Sequence, residues 1–298
     1  MAKQLPKRDL ENVGLGVTGA CVALVTLVVA ALIFMVAQKG LSAFLKDGVS
    51  VVEFFAGTKW DLANTAENGL PYTGALPLIV TSFAVMVLST FIALPIAIGS
   101  AIFAVEIQPK FGSKVFQPLI ELLTGIPSVV FGLIGFHVVV GLMKSVFHVS
   151  TGLGILPGAI VLAVMILPTV INVSESAIKA VPEHLKSASL AVGASRMQTI
   201  FKVILPAAKS GIVTAIVLGV GRAIGEAMAI SLVSGSSVNL PMPFNSVRFL
   251  TTAIVSEMGY ATDTHRDVLF TIGLVLFVFI MLINITLTKI LKHSNVEE

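Results

Sequence analysis

Six apolar stretches, divided by polar ones, set the pattern of this chain. They lie at about 15–36, 76–105, 115–143, 155–173, 211–233 and 268–290, and most approach the roughly 20 residues that a helix needs to cross a hydrocarbon core. Inside lipid the backbone is satisfied only by helices or a closed barrel, and the alternating ten-residue strands of a barrel are absent. The pattern therefore predicts an all-α membrane protein with six transmembrane helices. The first stretch exceeds the apolar core of a signal peptide and reads as an uncleaved helix over 14–37, behind a tail over 1–13. The polar 38–74 segment holds Trp60 and a short surface helix around 51–55, and it is long enough to fold outside the membrane. Pro95 sits inside the second helix, and Thr124-Gly125-Ile126-Pro127-Ser128 predicts a kink in the third.

Composition supports this pattern. With 56% hydrophobic and only 12% charged residues, and a mean hydropathy of +0.99, the chain is far from a soluble domain, in which about 25% of residues are charged. The net charge of +3 forms no basic stripe, so nucleic acid is not an expected partner and membrane lipid is. Twelve of the nineteen lysines and arginines fall on the side of the termini, six on the other, and Arg222 is the remaining one. The positive-inside rule then predicts cytoplasmic termini, including the 292–298 tail. Cys21 is the sole cysteine, excluding an internal disulfide. The five histidines show no metal spacing, and His148 and His265 read as solvated loop residues, so no metal site is expected.

Arg222 stands near the middle of the fifth apolar stretch, where an arginine costs roughly 2.5–3.5 kcal/mol on translocon scales. On one continuous helix Ala215, Gly219, Arg222, Glu226 and Ala229 share a small, polar face that looks into protein or a pore. Gly221 and Gly225 form a G-x-x-x-G pair beside it, which lets another helix approach. Two readings of the charges stand. Arg222 and Glu226 neutralise each other as an i, i+4 pair, in the weaker orientation; or Arg222 holds an anion, since guanidinium donates two parallel hydrogen bonds to an oxyanion and stays charged. In the second reading Glu226 holds the arginine when no substrate is present. Thr124 and Ser128 beside Pro127 offer hydroxyls to an oxyanion or to helix packing. Glu121 reads as an interfacial or interhelical contact, with a gate as its alternative.

Between the fourth and fifth helices, residues 182–206 read as two short helices joined at Gly193. Pro182 suits a first turn, and Ser195 with Gln198 three residues on has capping-box spacing. Met197, Ile200, Phe201 and Ile204 follow at helical spacing, and Pro206 stops or bends the helix. Such an apolar face rests on lipid headgroups or on a partner.

The order of residues here adds to that reading. Gly193-Ala194-Ser195-Arg196 followed by Val203-Ile204-Leu205-Pro206 resembles the signature loop of ABC importer permeases. The family's Glu-Ala-Ala triplet falls on Ser187-Ala188-Ser189, which lacks the acidic residue; Glu183 stands one turn earlier. Tyr72-Thr73-Gly74-Ala75-Leu76-Pro77, residues 120–132 from Ile120-Glu121 to Phe131-Gly132, Gly221-Arg222-Ala223-Ile224-Gly225-Glu226 and Glu257-Met258-Gly259-Tyr260-Ala261 are similar to phosphate transporter permeases of the PstC type. The likeness extends over roughly residues 70–290.

That resemblance implies a type I ABC importer permease fold over 75–291. It also implies that Glu183, Ser187, Ala188, Gly193, Ala194, Ser195, Arg196, Leu205 and Pro206 form a coupling loop seated on an ATPase. The implied partners are a paralogous PstA-type permease, two copies of a PstB-type ATPase and an exterior PstS-type phosphate-binding protein. No G-x-x-x-x-G-K-[ST] occurs, so ATP and Mg are expected in the partner ATPase, with no cofactor and no catalytic residue in this chain. Other readings remain: a permease for another oxyanion, an ion-coupled transporter using Glu226 and Glu121, or a membrane scaffold.

Overall fold

The computed structural model describes residues 7–65 and 70–294. Its helices are α1 (Lys7–Leu45), α2 (Val51–Ala56), α3 (Leu76–Ile107), α4 (Gln117–Gly125), α5 (Ser128–Phe147), α6 (Ile155–Lys179), α7 (Glu183–Ala191), α8 (Arg196–Ala207), α9 (Lys209–Gly225), α10 (Met228–Ser234), α11 (Leu250–Glu257) and α12 (Asp263–Ser294). Among the described residues five helices are long and apolar enough to span a membrane, and a sixth span arises if α8 and α9, bent by 69°, count as one.

Helix α6 is the central post. Its most apolar window is 67% buried, whereas that of α1 is wholly exposed. Small residues set this centrality: a Cβ on Gly219 would lie 2.6 Å from Val170, and one on Gly211 would lie 2.4 Å from Ala177, so α9 lies hard against α6 only because glycine stands there. On its other side Ala93 and Met86 of α3 share a core with Leu162 and Ile166. Dispersion between such close backbones is what associates helices in lipid, where tails are as apolar as leucine. Pro95 and Pro168 are both accommodated inside unbroken helices.

Among the described residues helix α1 packs on the rest through its C-terminal end, where Gly40 lies against the Phe270 carbonyl and its own carbonyl accepts the Thr271 hydroxyl at 2.7 Å. Ser42 donates to the Asp267 carboxylate beside that contact. The 38–74 segment is folded, as expected, with α2 starting at residue 51. It adds a feature the apolar pattern did not predict: an antiparallel hairpin of β1 (Trp60–Thr65) and β2 (Pro71–Thr73), with Lys59 Nζ 3.6 Å from the centre of the Tyr72 ring.

One buried carboxylate ties this hairpin to α11 and α12. Glu257 accepts from Trp60 Nε1 at 3.3 Å and from the Arg248 guanidinium, and His265 Nε2 lies 3.0 Å from its second oxygen. A buried carboxylate is tolerated only when paired in this way. His265 is therefore a structural ligand of Glu257 and not a solvated residue, a correction to its sequence reading; His148 is exposed.

Candidate substrate path and coupling segment

The third and fifth apolar stretches are not continuous helices. Helix α4 ends at Gly125, Ile126 and Pro127 are extended, and α5 begins at Ser128. Proline disfavours helical backbone at the residue before it, and the glycine further weakens the turn. The fifth stretch breaks without proline. Helix α9 ends at Gly225, Glu226 is extended with φ −74 and ψ 129, and α10 begins at Met228. Glu226 Oε1 accepts the Ala229 N–H at 2.9 Å, and its carbonyl accepts the Thr251 hydroxyl at 2.9 Å. Its carboxylate thus satisfies one of the free amides that open α10.

This geometry corrects the predicted shared face. The extended residue turns Glu226 away from Arg222, and among the described residues no ion pair joins them. Arg222 instead reaches α6, with Nη1 3.5 Å from the Thr169 hydroxyl, next to Pro168. Ala215 and Gly219 face inward, whereas Arg222 lies on the exposed side with Thr214, Leu218 and Gly225. Among the described residues a Cβ on Gly221 or Gly225 would meet nothing within 4 Å, so this small-residue surface has room for another helix.

The two breaks belong to one packed region. A Cβ on Gly132 of α5 would lie 2.7 Å from the Ala229 Cα of α10, so the two helices cross backbone to backbone. Ile126 from the first break and Ala229 beside the second join Phe131, Met165 and Val233 in a single apolar cluster. Thr124 donates to the Ile120 carbonyl at 2.9 Å, a bond within its own helix, and Ser128 opens α5 half-buried. Glu121 is exposed, accepts from Gln117 at 3.3 Å, and lines an open cleft of about 630 Å³ with Pro118, Gly125 and Pro127.

The 182–206 segment forms as its turn chemistry predicts. Pro182 precedes α7, Gly193 takes φ +84, and Ser195 and Gln198 close a reciprocal capping box. Ser189 and Thr199 hydroxyls, 2.9 Å apart, join α7 to α8, and the Ala194 N–H reaches the Ser189 carbonyl at 3.2 Å. Ala188 and Pro206 are exposed, Ser187 donates back to the Glu183 carbonyl at 3.0 Å, and Leu205 packs partly inward. The chain turns by 69° after Ala207, so Pro206 stands where the bend begins.

The predicted single apolar face divides in two. Ile200 and Ile204 are buried against Ala101, Ile178 and Val181, while Met197 and Phe201 are more than half exposed and share the open side with Leu190 and Val192. A π-type turn over residues 200–204 shifts the register that the 3.6 period assumed. Glu183 is also turned outward, its carboxylate 81% exposed and 3.6 Å from Lys186. The residue that sequence reasoning missed is Glu106, at the end of α3. Its carboxylate meets Lys186 Nζ at 2.6 Å, and its carbonyl accepts the Arg196 guanidinium. Only the tertiary fold brings these residues together.

A bundle centred on one post, with two interrupted helices and a bent two-helix segment at one end, defines the membrane-spanning permease subunit of a type I ABC importer. Residues 93–295 match the family described as binding-protein-dependent transport system inner membrane component, and the chain belongs to that family. The fold is shared with a chain of the MetNI methionine ABC transporter in inward-facing conformations, at a TM-score of 0.54 and 20% identity over 74% of this chain and 94% of that one. Among sequences, the probable ABC transporter permease protein YqgH of Bacillus subtilis is 43% identical over 93% of this chain and 91% of its own length. The phosphate transport system permease protein PstC of Xylella fastidiosa is 31% identical, covering 87% and 83%, and PstC 1 of Mycobacterium bovis is 34% identical, covering 82% of each. The chain is a multi-pass protein of the cytoplasmic membrane, and as an importer permease it works with an ATPase and a substrate-binding partner.

Proposed function

We propose that this chain moves inorganic phosphate across the cytoplasmic membrane as half of an ATP-driven pathway. A paralogous PstA-type permease supplies the other half, two PstB-type ATPases supply the energy, and an exterior PstS-type protein delivers the anion. The termini and the 182–206 segment face the cytoplasm, where ATP and Mg are used by the partner. Several relatives named as phosphate permeases support this reading, beside the motifs that resemble that type.

The observation that carries it is Arg222: a guanidinium in a membrane-length region, on an open helix side, beside a neutral hydroxyl and, among the described residues, without an ion-pair partner. In the pathway between the two permeases it exchanges Thr169 for two phosphate oxygens in a bidentate contact. Hydroxyls of Thr124 and Ser128 lie beside the other break and line the same path. Glu226 acts here by fixing the geometry of the α9–α10 break. Release is retained because one arginine and weak hydroxyl contacts do not replace the whole hydration shell. At the other end, Leu190, Val192, Met197 and Phe201 form the apolar face that seats in the ATPase.

The test is uptake of labelled phosphate by the complex reconstituted in vesicles, with ATP inside and binding protein outside. Phosphate uptake lost in Arg222→Gln, with the complex intact, is the expected result. Uptake of sulfate or molybdate in place of phosphate would overturn the substrate; uptake driven by an ion gradient without ATP would overturn the mechanism.

A further inference from the structure

Glu106 lies close to the end of α3, at the corner leading into α4. That corner is tightly folded. A Cβ on Gly112 would lie 2.2 Å from the Ala104 carbonyl oxygen, and the Phe103 and Phe111 rings meet edge to face at 6.2 Å between centres. Glu106 extends from it onto both short helices of the 182–206 segment. The carboxylate binds Lys186 of α7 at 2.6 Å, with both side chains largely buried at 12% and 15% exposure, and the carbonyl binds Arg196 of α8. Around them Val105 and Ile102 of the corner pack with Ile200 and Ile204.

This arrangement differs from a surface ion pair in a way that bears on function. Exposed pairs contribute little and yield readily to solvent. A shielded pair whose second anchor is a backbone carbonyl resists separation, because parting it leaves buried charge unmatched. The 182–206 segment is covalently joined only to α6 and α9. Through Glu106 it is also joined to α3 and α4, and α4 leads directly to the break at Ile126 and Pro127.

We propose that Glu106 is a positioning residue, a strut through which displacement of the 182–206 segment by the ATPase is passed to the α3–α4 corner and so to the broken third span. The proposal rests on the reading that this segment is the seat of the ATPase. Glu183 then has no part in the strut: its carboxylate is solvated, and Lys186 is turned to Glu106 at the shorter distance. The carboxylate that meets this segment comes from Glu106 of α3, and Lys186 is the cation that receives it.

The experiment uses the complex co-purified with its ATPase and reconstituted in vesicles, in a Cys21→Ser background with spin labels at Ser113→Cys and His184→Cys. Both positions are exposed and flank the strut. With Glu106 intact, the label distance stays narrow and unchanged between ATP-free and ATP-bound states, because corner and segment move together. In Glu106→Gln and in Lys186→Gln the distribution is expected to broaden and to shift with ATP. Transport per ATP hydrolysed falls several-fold while basal hydrolysis and complex assembly are retained. The double variant is no worse than either single one, and Glu106→Asp restores part of the ratio. An unchanged distance distribution in Glu106→Gln, or additive losses in the double variant, would overturn the strut. The distance readout does not depend on which anion is carried: vesicles that take up another oxyanion while showing the rigid distance would refute the phosphate reading and leave the strut standing. A label distance that already changes with ATP in the unmodified strut would refute the strut alone.

Discussion

Arg222 and Glu226 are four residues apart and do not meet, whereas Glu106 meets Lys186 and Arg196 across separations of 80 and 90 residues. The difference is a matter of backbone. Between Arg222 and Glu226 the helix ends, and one extended residue is enough to send the carboxylate into α10 as an acceptor for Ala229. Between Glu106 and its partners no local rule operates; the bend after Ala207 and the buried Ile200 and Ile204 carry α8 against the end of α3. The arginine is left beside a neutral hydroxyl, and among the described residues no carboxylate forms an ion pair with it. The lysine is locked in a shielded pair that suits the transmission of force. The roles proposed for the two cations differ in whether a counter-charge is found among the described residues.

Substituting Arg222 gives the largest expected effect. Losing a bidentate contact to an anion, at about 1.5–3 kcal/mol for hydrogen bonds to charged groups, corresponds to about a 10- to 100-fold loss. Initial rates of phosphate uptake in Arg222→Gln vesicles measure it, and an unchanged rate in a fully assembled complex would end the contrast drawn above. Arg222→Lys retains charge without the planar fork and is expected to fall between the two.

Next in size is the separation of Glu226 from Arg222 in function. If Glu226 acts by capping α10, Glu226→Gln keeps an acceptor for the Ala229 amide and leaves the thermal midpoint of the purified complex nearly unchanged, while Glu226→Ala destabilises by about 0.5–2 kcal/mol, as loss of a cap does. Equal damage from both substitutions would mean that charge matters there, and would return Glu226 to a partnership with the arginine.

The smallest effect belongs to the 182–206 segment itself. Ser195→Ala removes the side-chain acceptor for the Gln198 amide, at about 1 kcal/mol. Faster amide exchange over α8, with phosphate binding unaffected, is the expected signature. A loss of binding would show that segment and path are linked more tightly than a single strut requires.

Much of this molecule was legible in its residues. Long apolar stretches forced helices on a chain that must satisfy its backbone in lipid, and Pro182, Gly193, Ser195 with Gln198, and Pro206 set the turns of the coupling segment through local chemistry alone. The kink at Pro127 was readable for the same reason, since proline acts on its own neighbour. The break at Glu226 was not. No proline marks it, and it depends on Thr251 from a distant segment receiving the Glu226 carbonyl and on Gly132 allowing α10 to cross α5. Likewise the burial of His265 against Glu257, and of Lys186 against Glu106, joins elements far apart in the chain. Sequence determined which stretches are apolar enough to be helical and where the locally encoded turns fall, because hydrophobic period, proline and capping act over a few residues. Tertiary structure decided how Glu106 and Glu257 are matched, because their counter-charges come from elements that packing brings within about 3 Å of them.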